Sequence, residues 1–156
     1  MIANFFLDNR IGGPHIYSNQ IQKNLKNYRF LNVSCGKSNW SDLNLSNLKR
    51  NHKFFYVFEL LINFFVIIKN KKLKESNIFF VYSILNFAPI LAGIFLKKKI
   101  YWFIIEDVSL LNIFFFKIIN YFYKIKIICI NQNISKKLNL KKNFEIYSPR
   151  IDNKFW

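Results

Sequence analysis

Ile78-Phe79-Phe80-Val81-Tyr82-Ser83-Ile84-Leu85-Asn86-Phe87-Ala88-Pro89-Ile90-Leu91-Ala92-Gly93-Ile94-Phe95-Leu96 runs for nineteen residues without a charge. A helix of about 20 apolar residues spans a bilayer, so length alone admits a membrane span. The interior of the run points elsewhere. Ile78 to Tyr82 is β-branched and aromatic, as a buried strand is. Asn86 then stands before Phe87-Ala88-Pro89, a polar residue ahead of a helix-start proline. Strand, turn and helix describe the run better than one long helix.

The same rhythm extends outward on both sides. Upstream, Ile2 to Leu7 is an apolar run ending in Asp8-Asn9. Arg10-Ile11-Gly12-Gly13-Pro14 follows, then a helix-like stretch with Ile16/Tyr17, Ile21 and Leu25 about four residues apart. Tyr28 to Val33 reads as a strand, Gly36 to Asn51 as a polar loop, and Phe54 to Ile68 as a long helix before the basic turn Lys69 to Lys74. Downstream, Ile100 to Ile105 is a strand and Leu110 to Tyr123 a helix. Ile125 to Ile130 is a strand, Asn133 to Leu138 a short helix, and Phe144 to Tyr147 a last strand.

Strands alternating with helices predict βαβ crossovers and a mainly parallel sheet of about six strands, covered on both faces. The strands are solidly apolar, as burial on both faces requires. The expectation is an α/β, single Rossmann-like domain over residues 1–148. Each strand gives way to polar groups at its carboxyl end: Asp8 and Asn9, Ser34, Ser83 and Asn86, Glu106 and Asp107, Asn131 and Gln132. In open parallel sheets the ligand crevice lies outside those ends.

Composition sets outer limits. The 156 residues are enough for one domain with a core. With 52% hydrophobic residues the chain is no disordered basic tail. The net charge of +16 favours anionic partners of any kind. Heavy use of Lys, Asn, Ile and Phe throughout resembles the drift of an AT-rich genome, which makes part of that charge a by-product. The lysines are dispersed and no nucleic-acid-binding module is present, so nucleic acid is not an expected partner. Cys35 and Cys129 stand far apart inside apolar runs and have no ligand spacing. They read as buried free thiols in a reducing cytoplasm, and neither zinc nor another cofactor is implied. Met1 to Leu7 lacks the basic start and the length of a signal peptide.

Two helical stretches are apolar almost all round. Phe54 to Ile68 is interrupted only by Glu59 and Asn63, and Leu110 to Tyr123 mainly by Asn112, Lys117 and Asn120. A helix on a sheet needs one apolar stripe. The surplus fits a partner domain, a membrane surface or Phe-rich drift. Lys97-Lys98-Lys99 and Lys136-Lys137 read as solvated faces, and peripheral membrane contact enters as an expectation beside the surplus.

Gly12-Gly13-Pro14 lies between the first strand and the first helix. Glycines there let backbone approach a ligand, and a helix-start proline leaves N–H groups aimed at an anion. It is neither a GxGxxG nor a Walker A motif.

The stretch Asp8-Asn9-Arg10-Ile11-Gly12-Gly13-Pro14-His15 resembles the first loop of family-four glycosyltransferases of GT-B fold. Ser83 to Pro89 is similar to that family's third-strand loop. Ile100 to Asp107 resembles the strand that usually ends in His-Asp, with glutamate here where histidine is common. Tyr147-Ser148-Pro149-Arg150-Ile151-Asp152, followed by Phe155, is similar to its Pro-x-x-Asp…Phe segment.

The resemblance covers essentially the whole chain and implies the N-terminal, acceptor-side half of a retaining glycosyltransferase. Such enzymes use a nucleotide-diphospho-sugar donor and commonly build bacterial polysaccharide or lipid-linked glycans. A glycan or lipid-linked acceptor and a cytoplasmic place at the inner face of the membrane follow. By resemblance Gly12 and Gly13 lie at the donor phosphates, and Glu106 and Asp107 approach the reacting sugar and acceptor. Ser83 and Asn86 fall on the same substrate side. Asp107 reads equally as a cap on the next helix. His15 is the nearer histidine to this site, a catalytic candidate beside the commoner solvent-facing or capping role. His52 has no partner the sequence names. No DxD-like carboxylate pair is present, so no metal is implied.

The family's donor-binding domain begins where this chain reaches Trp156, residues 149–156 corresponding to the interdomain linker. The expectation is therefore a domain that cannot complete transfer without a donor-binding half. The rival expectations are a non-catalytic membrane-associated subunit of a split enzyme and an integral membrane protein with Ile78 to Leu96 inserted.

Overall fold

A computed structural model describes residues 1–47, 53–106, 110–123, 125–140 and 144–146. The described elements are β1 (Ile2–Phe6), α1 (Gly13–Asn24), β2 (Phe30–Cys35), β3 (Leu43–Leu45), α2 (Lys53–Lys69) and α3 (Lys71–Glu75). They continue with β4 (Ile78–Tyr82), α4 (Phe87–Phe95), β5 (Lys99–Ile104), α5 (Leu110–Phe122), β6 (Lys126–Cys129), α6 (Gln132–Lys137) and β7 (Phe144–Ile146). The strands form one sheet in the order β3-β2-β1-β4-β5-β6-β7, and every pairing is parallel. The α/β class is as the sequence predicts.

Ile78 to Leu96 resolves into β4, a turn and α4, not a span. Among the described residues no helix is long and apolar enough to cross a membrane. The sheet has seven strands, not six. The extra one, β3, lies in the stretch expected to be polar loop. Three residues are too few to show a period, and only Leu45 of them is buried. Asp42 anchors it beside β2: its backbone N–H donates to Asn32 O (2.8 Å) and its Oδ2 accepts from Asn32 N–H (2.8 Å). Part of the expected basic turn is the short helix α3, capped by Asn70, whose side chain accepts from Leu73 N–H. His52 and the segment from Tyr147 to Phe155 lie outside the described residues.

The two faces of the sheet are dressed unequally, for a topological reason. The steps from β1 to β2 and on to β3 run one way across the sheet, and the crossovers after β3 run the other way. Right-handed crossovers therefore place α1 alone on one face. Ile2, Phe6, Phe80, Tyr82 and Phe103 form the core on that face, under Tyr17 and Ile21 of α1 and Leu25, its C-cap. The opposite face holds the larger core. There Phe5, Val33, Phe79, Val81, Trp102 and Ile127 meet Ile67 of α2, Leu73 of α3, Ile90 of α4, Phe116 of α5 and Ile134 of α6. Trp102, fully buried, packs its ring against Phe116 and Phe87 and donates its indole N–H to Ser83 O (2.8 Å).

The strands are not wholly apolar. Asn4 and Asn32 lie opposite each other in register, and Asn4 Nδ2 donates to Asn32 Oδ1 (3.0 Å) and to Ser18 Oγ of α1 (3.1 Å). Gln22 Nε2 joins the same two acceptors. A polar seam thus ties α1 to the centre of the sheet.

Gly93 is the glycine this packing demands. A Cβ there would stand 2.9 Å from Ile100 Cδ1 and 3.0 Å from Phe79 Cδ2. Overpacking of this kind costs about 1–3 kcal/mol. Gly93→Ala is expected to lower the urea-unfolding free energy by that amount. Gly13→Ala, where a Cβ meets nothing within 4 Å, stays within about 0.5 kcal/mol. Equal losses in the two variants would contradict the packing described.

Candidate functional site at the carboxyl rim

Because the sheet is all parallel, every strand's carboxyl end emerges at one rim. Strand order reverses between β1 and β4, since the chain leaves β1 towards β2 and later returns to β1's other edge. That reversal opens a crevice at the carboxyl ends of β1 and β4. The loop after β1 carries Gly12, Gly13 and His15, the loop after β4 carries Ser83 and Asn86, and Glu106 follows β5. The glycine turn and Glu106 leave by the same rim. Asp107 lies outside the described residues.

Ser83 and Glu106 are brought into direct contact. The Ser83 hydroxyl donates to Glu106 Oε1, which also accepts the Ile84 N–H (2.8 Å). Ser83 has φ +84°, left-handed backbone that a non-glycine residue adopts at a cost. Five bonds hold it there. Its N–H donates to Phe103 O (3.0 Å), its carbonyl accepts from Trp102 Nε1 and Asn86 N–H, and its Oγ accepts from Leu85 N–H while donating to Glu106. Asn86 is buried, and its Nδ2 points back to Phe5 O (3.3 Å) and Tyr82 O (3.5 Å). Asn86 therefore braces the rim from beneath; Glu106 is half-buried.

The β1 loop is built by its polar residues. Asp8 accepts from Arg10 N–H and its guanidinium, a 2.6 Å ion pair that raises the Arg10 pKa. Asn9 Nδ2 donates to Lys37 O (2.9 Å), and Asn9 O accepts the indole N–H of Trp40 (3.1 Å). Gly12 is the N-cap of α1, with extended backbone and no side-chain cap, and Pro14 stands in the first turn. That turn carries no acidic side chain, so no carboxylate competes for its N–H groups.

His15 is separate from the carboxylate. Its ring lies edge-on to Trp40 (centroids 4.8 Å) and near Phe6 (5.9 Å), and its Nδ1 accepts from Asn19 Nδ2 (3.2 Å). Partial burial lowers its pKa from 6.5. Phe6 stacks on Tyr82 (5.0 Å) and Tyr82 on Phe103 (4.7 Å), an aromatic floor running along β1, β4 and β5.

Sequence reasoning missed two rim residues. Trp40, the lone aromatic in a polar loop, was its own signal. Glu59 breaks an apolar helix, and it is buried in a small cavity with Leu7, Tyr56, Asn63, Leu85 and Asn86, directly below the crevice. Both cysteines are buried and neither is in a disulfide, and burial pushes Cys129 up to about 11.

These features define an α/β domain of Rossmann-like form with polar and aromatic groups gathered at its switch point. No family model matches the chain, and no curated protein does.

Two outcomes test this geometry. Glu106→Gln keeps an acceptor for Ser83 and Ile84 and is expected to leave stability nearly unchanged. Glu106→Ala orphans both donors and costs about 1–3 kcal/mol in denaturant titration; equal stability of the two would contradict the contact. For His15, the unfolded chain takes up the proton first as pH falls. Its contribution to stability is constant above 6.5 and declines as pH drops below that value, levelling off beneath the folded-state pKa. Proton NMR should place His15 below 6.5, and Trp40→Ala should move it back towards that value.

Proposed function

We propose that this domain is the acceptor-side half of a retaining glycosyltransferase using a nucleotide-diphospho-sugar, in bacterial polysaccharide or lipid-linked glycan synthesis. The observation that carries the reading is a contrast among the four glycines. Gly93 is forced by packing, and Gly36 has φ +88° with Asn47 against it. Gly12 and Gly13 are required by neither: a Cβ at either meets nothing within 4 Å. Small residues at an uncapped helix start on the switch-point rim suit close approach of a diphosphate to backbone N–H groups.

In this reading those N–H groups stabilise charge developing on the leaving diphosphate as the donor's sugar C1–O(phosphate) bond breaks and the acceptor oxygen, giving up its proton, bonds to C1. Glu106, held through Oε1 by Ser83 and Ile84, offers Oε2 to a hydroxyl of the acceptor, and Asp107 stands next to it in the chain. His15, uncharged through most of the physiological range, and Trp40 line the sugar side. The grip on the nucleotide comes from a facing donor-binding domain, so transfer requires that second half. A non-catalytic subunit is the second reading, favoured by the inward commitment of Ser83 and Asn86 to the chain's own groups.

Amide NMR with uridine diphosphate tests the reading. Shifts concentrated at Gly12, Gly13 and His15, abolished by Gly13→Val, are expected. Shifts spread over surface lysines, with Gly12 and Gly13 unmoved, would overturn it. Sugar transfer by this domain alone would contradict the need for a facing half.

A further inference from the structure

Helix α2, on the crowded face of the sheet, is amphipathic the wrong way round. Between Tyr56 and Ile68 of α2 the polar side chains are Glu59 and Asn63, and both are buried, at 4% and 2% exposure. Asn63 is spent on Ser46, accepting its N–H (2.8 Å) and donating to its carbonyl (3.0 Å). The outward positions are Val57, Phe58, Leu61, Ile62, Phe65 and Val66, between 38% and 56% exposed. On α5 the outward residues include Phe114, Ile118, Tyr121 and Phe122, the last two 85% and 70% exposed. Phe95, at the end of α4 and 65% exposed, touches Phe64 of α2, and Phe115 of α5 touches Phe87 of α4. The apolar surface is therefore carried across three helices of one face. Random enrichment in Phe does not turn a helix's polar residues inward, whereas an apolar external medium does.

The exposed charges on the helices of this face are lysines except for Glu75 at the end of α3. Exposed Lys69 follows Phe58, Ile62 and Phe65 on the outward stripe of α2, and exposed Lys117 stands among Phe114, Ile118 and Tyr121 on α5. Lys71, Lys72, Lys74 and Lys97 flank them, all exposed. From α2 to the end of α5 the carboxylates among the described helical residues are buried Glu59 and exposed Glu75 of α3, which stands beyond the outward stripes of α2 and α5. We propose that the outward faces of α2 and α5, with Phe95, seat this domain on an anionic lipid bilayer. The aromatic and aliphatic side chains enter the headgroup–acyl boundary, and the lysines meet lipid phosphates. A second copy of the chain suits the surface badly, because two molecules of charge +16 would bring lysine stripes together. The seating leaves the carboxyl rim at the edge of the contact, open to a lipid-borne ligand, and does not depend on the reaction assigned to that rim.

Co-sedimentation of the full chain with vesicles at physiological salt tests it. Binding to phosphatidylcholine vesicles containing phosphatidylglycerol is expected to be at least about tenfold tighter than to phosphatidylcholine alone. Phe65→Asp combined with Phe114→Asp should weaken binding about tenfold or more, while Lys69→Gln and Lys117→Gln each weaken it about fivefold on anionic vesicles only. Ile16→Asp, exposed on α1 across the sheet, should leave binding unchanged, with circular dichroism confirming the fold of each variant. Absence of vesicle binding, equal loss in Ile16→Asp, or a stable dimer in ultracentrifugation that Phe65→Asp dissociates would each overturn the proposal.

Discussion

Strand β1 is the constraint from which the rest follows. All five of its residues are buried, and both its edges are bonded, to β2 on one side and β4 on the other. An interior strand must have both rows of backbone groups paired, because buried N–H and C=O groups left open cost more than most contacts return. With β2 filling the first edge, the chain must come back across β1 to fill the second. That return makes the reversal of strand order, and with it the crevice at the carboxyl rim. Right-handed crossovers then decide the dressing of the faces, leaving, among the described residues, one helix on the first and five on the second.

The fold was legible because burial on both sides leaves a plain trace: short solid apolar runs with polar residues at their ends. Ile78 to Leu96 shows how far that trace reaches, since Asn86 and Pro89 divide a run that hydropathy alone would have left whole. The trace fails where stability comes from particular partners. Strand β3 is held by Asp42 bonding Asn32 at both its backbone N–H and its carboxylate, and no local period reports such a pair. Asn4 would be scored as a blemish in an apolar strand, yet it lies in register with Asn32 and under Ser18.

The site divides along the same line. That Gly12, Gly13, Ser83 and Glu106 share a rim follows from a parallel sheet, and could be read from the order of the elements. Which of them touch could not. Ser83 and Glu106 meet because β4 and β5 are neighbours in register, Tyr82 opposite Phe103, so the residues that follow each strand arrive side by side. His15 is drawn away from them by Trp40 and Phe6. Trp40 arrives from a loop after β2, a strand on the other side of β1.

The strain at Ser83 bears on what the rim is for. A left-handed serine costs energy that a glycine would avoid. Here the hydroxyl is used twice, donating to Glu106 and accepting from Leu85 N–H, while the carbonyl takes the Trp102 indole. Glycine would relax the backbone and release the carboxylate. The chain instead fixes one oxygen of Glu106 against the end of β4, at the neighbouring strand to the glycine turn. A carboxylate needed only for solubility gains nothing from being held, because exposed charge serves equally well in any rotamer. Holding it satisfies the Ser83 hydroxyl and the Ile84 N–H at the end of β4, and in the function proposed above the same contact fixes the carboxylate for a group brought to the crevice between β1 and β4.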